Sequence, residues 1–429
     1  MFTHRNRWMA ALAAASLLLG AAVAFADEPA AEAEEEDDSV PAGVSYALDA
    51  TLSSHHVKHL QFGPDGFDWG EGFARARGFY GFGQGAYVTA GGVVMTTRNT
   101  DYFGVKDEND GLLDQLALVV PNLGESGFGF SIGRQPIVLG DGFLVGDGYY
   151  DRRAALWNIP LGFYDGATAH FARGPHTFTA AVTDFSPSFA GPDVETQGLI
   201  VAGEYSLKPK EGQELALTFV RADVDFDDAN STPYAFSVRG KHATGPWSFG
   251  TEIVFEGGQM DGADLAGKGG HAEVMWQGEG RLKPSVKLQG FWFSGDDPDT
   301  EENEGYYPWQ YTWSDWSNWY VGDLLASTVG TASNMRIVMA QFGCEPREGT
   351  KFRLLAHKFD RVEAADTPFA VELDAVVDQD FGHGLSGYVM GAWAKAGDEG
   401  EAEFAAGDAE ASMQLFVAVT WKFSGKLAK

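Results

Sequence analysis

One cysteine, Cys344, in a chain of 429 residues excludes a disulfide framework, so stability has to come from a large hydrogen-bonded sheet or core. No histidine stands near this thiol in sequence, and it reads as a small residue in a short turn, not a nucleophile. Basic residues are also scarce. Thirty Lys and Arg oppose 61 Asp and Glu, for a formal net charge of -31, and a field of that sign excludes nucleic acid as a partner. Long apolar runs are missing beyond residue 26, where nothing approaches the roughly 20 residues of a membrane helix. No long window keeps a helical period either. The histidines (His55, His56, His59, His170, His176, His242, His271, His357, His383) form no set with serine or aspartate that suggests nucleophilic catalysis, so no catalytic residue is assigned and no enzyme is expected. His55-His56 with His59 could hold a metal, but without cysteine or nearby carboxylates no metal and no cofactor are expected.

What the chain does have begins with an export signature. Residues 1–26 carry His4, Arg5 and Arg7, then an apolar run through Leu17, Leu18 and Leu19, then Ala24-Phe25-Ala26, the pattern of a secretory signal peptide. Residues 27–43 follow as an Ala, Glu and Asp tail that cannot bury enough apolar surface to order itself. From residue 44 to 423, segments of about ten residues alternate in character, in a chain with 55 glycines and many aromatics. About 18 such segments run from 44–54 to 412–423, and residues 424–429 extend past the last.

The gaps between segments are alternately short and long. Short ones are turn chemistry, such as Gly174-Pro175 and Gly382-His383-Gly384; long ones, among them 55–72, 138–162 and 294–333, are rich in Asp, Gly, Trp and Tyr. This regularity predicts an all-β fold: a transmembrane antiparallel β-barrel with short periplasmic turns, long extracellular loops and both termini periplasmic. The faces agree. In 412–423, Met413, Leu415, Val417, Val419, Trp421 and Phe423 oppose Gln414, Ala418, Thr420 and Lys422. Charged residues repeated in mid-strand suit a wet lumen and not a dry core. Trp247, Trp292, Trp393 and Trp421 fall at strand ends, where interfacial girdles belong.

A barrel of that size encloses more space than side chains fill, so an aqueous channel is the expected default. Strand parity assigns Arg239, Lys241, Lys287, Arg353, His357 and Lys422 to the lumen, against Asp49, Glu204, Glu252, Glu273, Glu372 and Asp374. Loop 138–162 is the expected constriction, with Arg134, Asp141, Arg152 and Arg153 near it. The opposite reading, in which these arginines only pair with neighbouring aspartates, stays open. The loop 294–333 carries Trp309, Trp313, Trp316 and Trp319 among several tyrosines, rings suited to carbohydrate stacking or to packing across the barrel mouth. The partners implied are outer-membrane lipid, lipopolysaccharide and a small hydrophilic or saccharide solute, taken up by a monomer. A plugged structural or adhesion barrel, or a barrel enzyme, are the alternatives.

Short motifs add a resemblance. Gly133-Arg134-Gln135, Leu139-Gly140-Asp141-Gly142 and Phe163-Tyr164-Asp165-Gly166, with Trp319-Tyr320-Val321-Gly322-Asp323 ahead of Met335-Arg336-Ile337, resemble the alginate-export family of outer-membrane porins. The resemblance implies an 18-stranded monomeric barrel passing an anionic polysaccharide through an arginine-lined constriction, with Arg134 at the family's Gly-Arg-Gln position; placing Arg152 and Arg153 there extends it. A polyuronate pore should be strongly basic inside, and the mixed signs of this lumen read the resemblance as one of architecture more than of substrate.

Overall fold

The computed structural model describes residues 43–59, 66–83, 85–99, 107, 109–123, 126–146, 164–184, 196–226, 229–260, 262–307, 309, 324–325, 333–363, 368–397 and 411–426. The first nine strands are β1 (Gly43–Lys58), β2 (Gly66–Gly83), β3 (Ala86–Arg98), β4 (Asn109–Val120), β5 (Phe128–Gln135), β6 (Tyr164–Arg173), β7 (His176–Asp184), β8 (Thr196–Leu207) and β9 (Gln213–Phe226). The short β10 (Ala229–Ser231) pairs back on β9 and leads to β11 (Tyr234–Thr244) and β12 (Trp247–Gly257). β13 (Gln259–Met260) and β14 (Ala263–Asp264) make a small hairpin of their own. The wall continues with β15 (Lys268–Gln277), β16 (Ser285–Phe293), β17 (Met335–Arg347), β18 (Thr350–Arg361), β19 (Pro368–Gly382), β20 (Leu385–Ala396) and β21 (Ser412–Lys426).

Without β10, β13 and β14, every strand pairs antiparallel with its neighbours in chain order, and β21 pairs back on β1 from Ser45↔Lys426 to Lys58↔Met413. The result is a closed antiparallel barrel of 18 strands. Closure leaves no edge, which is the condition for a sheet to live in hydrocarbon. The tight turns, the start of β1 and the end of β21 share one mouth of the barrel; the strand ends that lead into the long connections share the other.

The faces are inverted relative to a water-soluble protein. Leu52, Ile132, Phe219, Ile253, Leu288, Val338, Leu373 and Val419 are between 45 % and 70 % exposed on the outer wall. On β12 the outward row runs from Trp247 to Phe255, eight residues on. At about 3.4 Å per residue and a tilt of about 40° it stands about 20 Å high, near the thickness of an outer-membrane apolar band. Trp247 and Trp421 lie toward the tight-turn end of this band and Trp292 and Trp393 toward the long-loop end, all on outward parity.

Three expectations need correction. The loop expected over 55–72 is mostly strand, because β1 and β2 pair without interruption to Lys58↔Gly66. Cys344 sits inside β17, at the point where its register with β18 shifts, and not in a turn. β21 does not stop at Phe423: Ser424 and Gly425 stay paired with Ala47 and Tyr46. Residues 1–42 lie outside the described residues.

Candidate functional site

The chemistry inside the barrel is set by which residues the pleat turns inward. β11 places Ala235, Ser237, Arg239 and Lys241 on the inner face, while Tyr234 and Phe236 face out. Arg239 is 2 % exposed; its guanidinium donates to Glu204 on β8 at 3.1 Å and to Glu214 on β9 at 2.8 Å. One guanidinium thus ties three strands together, which its planar fork of donors allows. Lys287 on β16 meets Glu273 on β15 at 2.6 Å, and Arg353 on β18 meets Asp378 on β19 at 2.7 Å.

The connection after β5 turns back into the barrel. Its tip is closed by Leu139 N–H donating to Val145 at 2.9 Å, with Gly140 and Gly142 both at positive φ. Gly140 packs on Arg239 so closely that a Cβ there would overlap the guanidinium. Asp141 forms an ion pair with Lys241. The apolar residues of the same segment, Ile137, Leu139, Phe143, Leu144 and Val145, are all buried within one cluster that includes Phe291, Phe293, Tyr306 and Met335. Phe143 lies 5.3 Å from the ring of His271 and 6.2 Å from that of Phe293.

A second segment comes in from the connection between β16 and β17. The backbone N–H groups of Leu324 and Leu325 donate to the two oxygens of Glu372 on β19, at 2.8 and 2.9 Å, and both leucines join the same cluster. Glu372 is fully buried there. Glu256 on β12 accepts from Tyr307 N–H at 2.8 Å. Lumen carboxylates therefore anchor the inward segments from two sides, and a charged belt lies beside an apolar filling.

Other predicted residues have different surroundings. Arg134 belongs to β5, on the outward parity of Ile132, not in a loop and not toward the lumen. Its Nε and Nη2 bind Asp165 on β6 at 2.8 and 2.5 Å, and Nη1 donates to the carbonyl of Leu113 at 2.9 Å. The parity of three preceding outward residues carries it there. Trp309 is 5 % exposed and packed edge-on against Tyr307, which makes it part of the filling and not an open stacking platform. Arg152, Arg153, Trp313, Trp316 and Trp319 lie outside the described residues. His55 and His56 point to opposite faces: His55 stacks between Trp69 and Phe416 inside, while His56 meets Asp68 at 2.5 Å outside. Consecutive strand residues cannot present both rings to one ion.

The inner wall also holds residues that the sequence did not single out. Arg75 and Arg77 on β2 meet Asp114 at 2.5 Å and Asp49 at 3.1 Å. Asp114 is the extra residue of a bulge, since Gly91 pairs with Gln115 and Gly92 with Leu113. A bulge turns a side chain that regular alternation would place elsewhere, so no period-two reading could find it. Arg75 and Arg77 share their parity with Phe73 and Phe79, which masks that face as apolar in sequence. The arginine-lined constriction implied by the resemblance is not what the described lumen contains. Each cation named here has a carboxylate beside it, and Glu71, Glu252, Glu256, Glu372 and Asp374 add further acid.

No protein-family model matches the sequence, and no curated protein matches it. Solved structures do. OccK5 (OpdH) of Pseudomonas aeruginosa aligns over 89 % of this chain and 98 % of its own, with a TM-score of 0.59 and 12 % identity. The outer membrane protein opdK of the same organism aligns over 89 % and 99 %, with a TM-score of 0.60 and 12 % identity. OccK2 (OpdF), solved in complex with glucuronate, aligns over 89 % and 98 %, with a TM-score of 0.60 and 14 % identity. At these identities the likeness is one of fold, and it establishes the architecture as that of outer-membrane porin barrels; the alginate-export family is not shown.

Proposed function

We propose that this chain is an outer-membrane channel for passive diffusion of small hydrophilic solutes, with neutral and cationic solutes favoured over anionic ones. The observation that carries the reading is the inversion of the wall. Large apolar side chains cover the outside, while Arg75, Arg77, Arg239, Lys241, Lys287 and Arg353 occur on the inside, each paired with a carboxylate, a density of charge that suits a wet lumen and not a dry core. On this reading the mouth with the tight turns and the ends of β1 and β21 is periplasmic and the long loops lie outside, an orientation supported by the usual layout of bacterial barrels and by the export-like pattern of residues 1–26.

Selectivity in a pore follows the charges at its narrowest level. The inward segment 136–146 narrows the lumen beside Arg239 and Lys241, and there the carboxylates Glu204, Glu214, Glu252 and Asp141 outnumber the two cations. An anionic polysaccharide would meet net repulsion at that belt. One fold neighbour was solved with glucuronate and another, OpdK, with vanillate. A carboxylate solute of that kind would have to compete here with carboxylates already seated on the cations.

Reconstitution into a planar bilayer under a salt gradient tests the reading. Conductance steps with a reversal potential on the cation side are the expected result; steps with anion preference would restore the polyuronate reading. A folded protein that gives no steps would favour a second reading, a plugged structural barrel, for which the apolar filling around Phe143, Leu324 and Leu325 is the specific argument.

A further inference from the structure

The outer wall is not evenly convex. Across β17 to β20 a groove of about 1110 Å³ opens on the apolar side, floored by Ala340, Ala356, Ala375 and Gly391 and walled by Phe342 and Trp393. Ala340 faces Ala356 across β17 and β18, and Ala375 faces Gly391 across β19 and β20; the two pairs lie in adjacent outward rows, where Ala356 meets Leu373 and Leu354 meets Ala375, so small residues step diagonally over four strands. A groove of this size exceeds the roughly 300–1,000 Å³ of ordinary small-molecule sites.

Directly above it, toward the long-loop end and on the same outward parity, stands a group of cations. Lys358 and Lys395 flank Val371 in one row of the sheet. One step higher, Arg336 pairs with Asp360, which also takes Lys358: the distances are 3.3 and 3.0 Å. Two cations thus share one carboxylate, and more than half of each cation's side chain is exposed. Lys58 borders the groove from β1, beside the outward pair of His56 and Asp68. The positive charge left over faces outward, at the level where a leaflet's headgroups lie.

We infer that this groove is a lipid site: it takes acyl chains of a phosphorylated lipid whose phosphates sit on Arg336, Lys358 and Lys395. The inference rests on the membrane reading above. With the long loops outside, the lipid of that leaflet with several acyl chains and anionic phosphates is lipopolysaccharide, through its lipid A portion. A second copy of the chain fits less well. Two copies inserted the same way up and related by a two-fold would bring the same cations together at the same height, whereas phosphate neutralises them.

The test uses the full-length mature barrel in detergent, titrated with deep-rough lipopolysaccharide and followed by native mass spectrometry and by the temperature at which the folded band is lost on a gel. The wild type should retain the lipid and be stabilised by it. Each surface cation is worth about a fivefold change in affinity, so the triple variant Arg336→Ala, Lys358→Ala, Lys395→Ala should bind about a hundredfold more weakly. Ala356→Trp, which fills the floor and keeps the cations, should weaken binding independently. Undiminished binding by the triple variant, or equal stabilisation of the wild type by a zwitterionic phospholipid, would overturn the site, as would persistent two-fold dimers broken by Ala356→Trp. Bilayer conductance separates the two levels: a conducting wild type without lipopolysaccharide binding sinks only this site, while a chain that stays dissolved without detergent sinks the membrane reading itself.

Discussion

Arg239 is the residue through which most of the lumen geometry passes. It holds Glu204 and Glu214 together, sits at the register position opposite Glu252, and gives Gly140 the surface on which the inward segment rests. Replacing it with methionine would keep the volume and leave two half-buried carboxylates without their counter-charge. Breaking a buried pair in this way costs about 3–5 kcal/mol, and partial solvation of Glu204 and Glu214 places the loss near the lower figure. Urea unfolding in lipid vesicles should show that loss, and the reversal potential should move further toward cations. Arg239→Lys would restore the charge but not the fork of donors, so it should recover the selectivity and only part of the stability. Gly140→Val separates the segment from the wall. The residue is at φ 62°, where a β-branched side chain is strained, and its Cβ collides with the guanidinium. Unitary conductance should rise as the tip backs out, with global stability changed far less than by Arg239→Met.

At the scale of elements, the two inward segments share one apolar cluster and differ in their polar anchor. The first is attached through apolar side chains and the Asp141–Lys241 pair, the second through the carboxylate of Glu372, which receives two backbone N–H groups. A carboxylate accepting two such bonds is replaced poorly by an amide, which offers a single acceptor oxygen. Hydrogen bonds to charged groups contribute about 1.5–3 kcal/mol each, so Glu372→Gln should free the segment at Leu324 and Leu325. The expected record is a noisier, larger single-channel current with unchanged migration of the folded band; an identical current would show that this segment does not bound the path. The strands themselves were legible, because each spans a bilayer with two unlike faces and therefore repeats a period of two over some ten residues, as in 412–423 and 247–256. The lumen was legible only in part. Arg239, Lys241, Lys287 and Arg353 stand opposite clean apolar rows, whereas Arg75 and Arg77 alternate with Phe73 and Phe79, and Asp114 depends on a bulge. Arg134 misled for a related reason: a charge following a strand looks like the start of a loop, although here it extends the outward row to the rim and finds Asp165 there. Inward folding of the two loops rests on contacts between residues more than 40 positions apart, such as Leu324 with Glu372, and no local pattern encodes those.

For the molecule as a whole, the decisive property is that neighbouring positions on one strand answer to different solvents. β7 gives a direct comparison at mid-height, where Thr179 faces Glu204 across the β7–β8 pair on the inner side and Ala180 is exposed on the outer side. An arginine at Ala180 must place its charge against hydrocarbon, which costs about 2–4 kcal/mol near the bilayer midplane. An arginine at Thr179 enters the lumen beside a carboxylate, and there the desolvation that penalises the outer position is offset by pairing. In a water-soluble barrel the order would be reversed: the outer arginine would be harmless and the inner one would disrupt a core. Thr179→Arg should therefore fold in lipid vesicles with a urea midpoint close to that of the wild type, while Ala180→Arg should lose a large part of its stability and of its folded yield. The two substitutions introduce the same side chain one residue apart, and the remaining difference in strand propensity, which favours Thr over Ala by less than about 1 kcal/mol, works against the inner variant and so cannot produce the expected order. The sign of the difference then reports which face of the wall is wet.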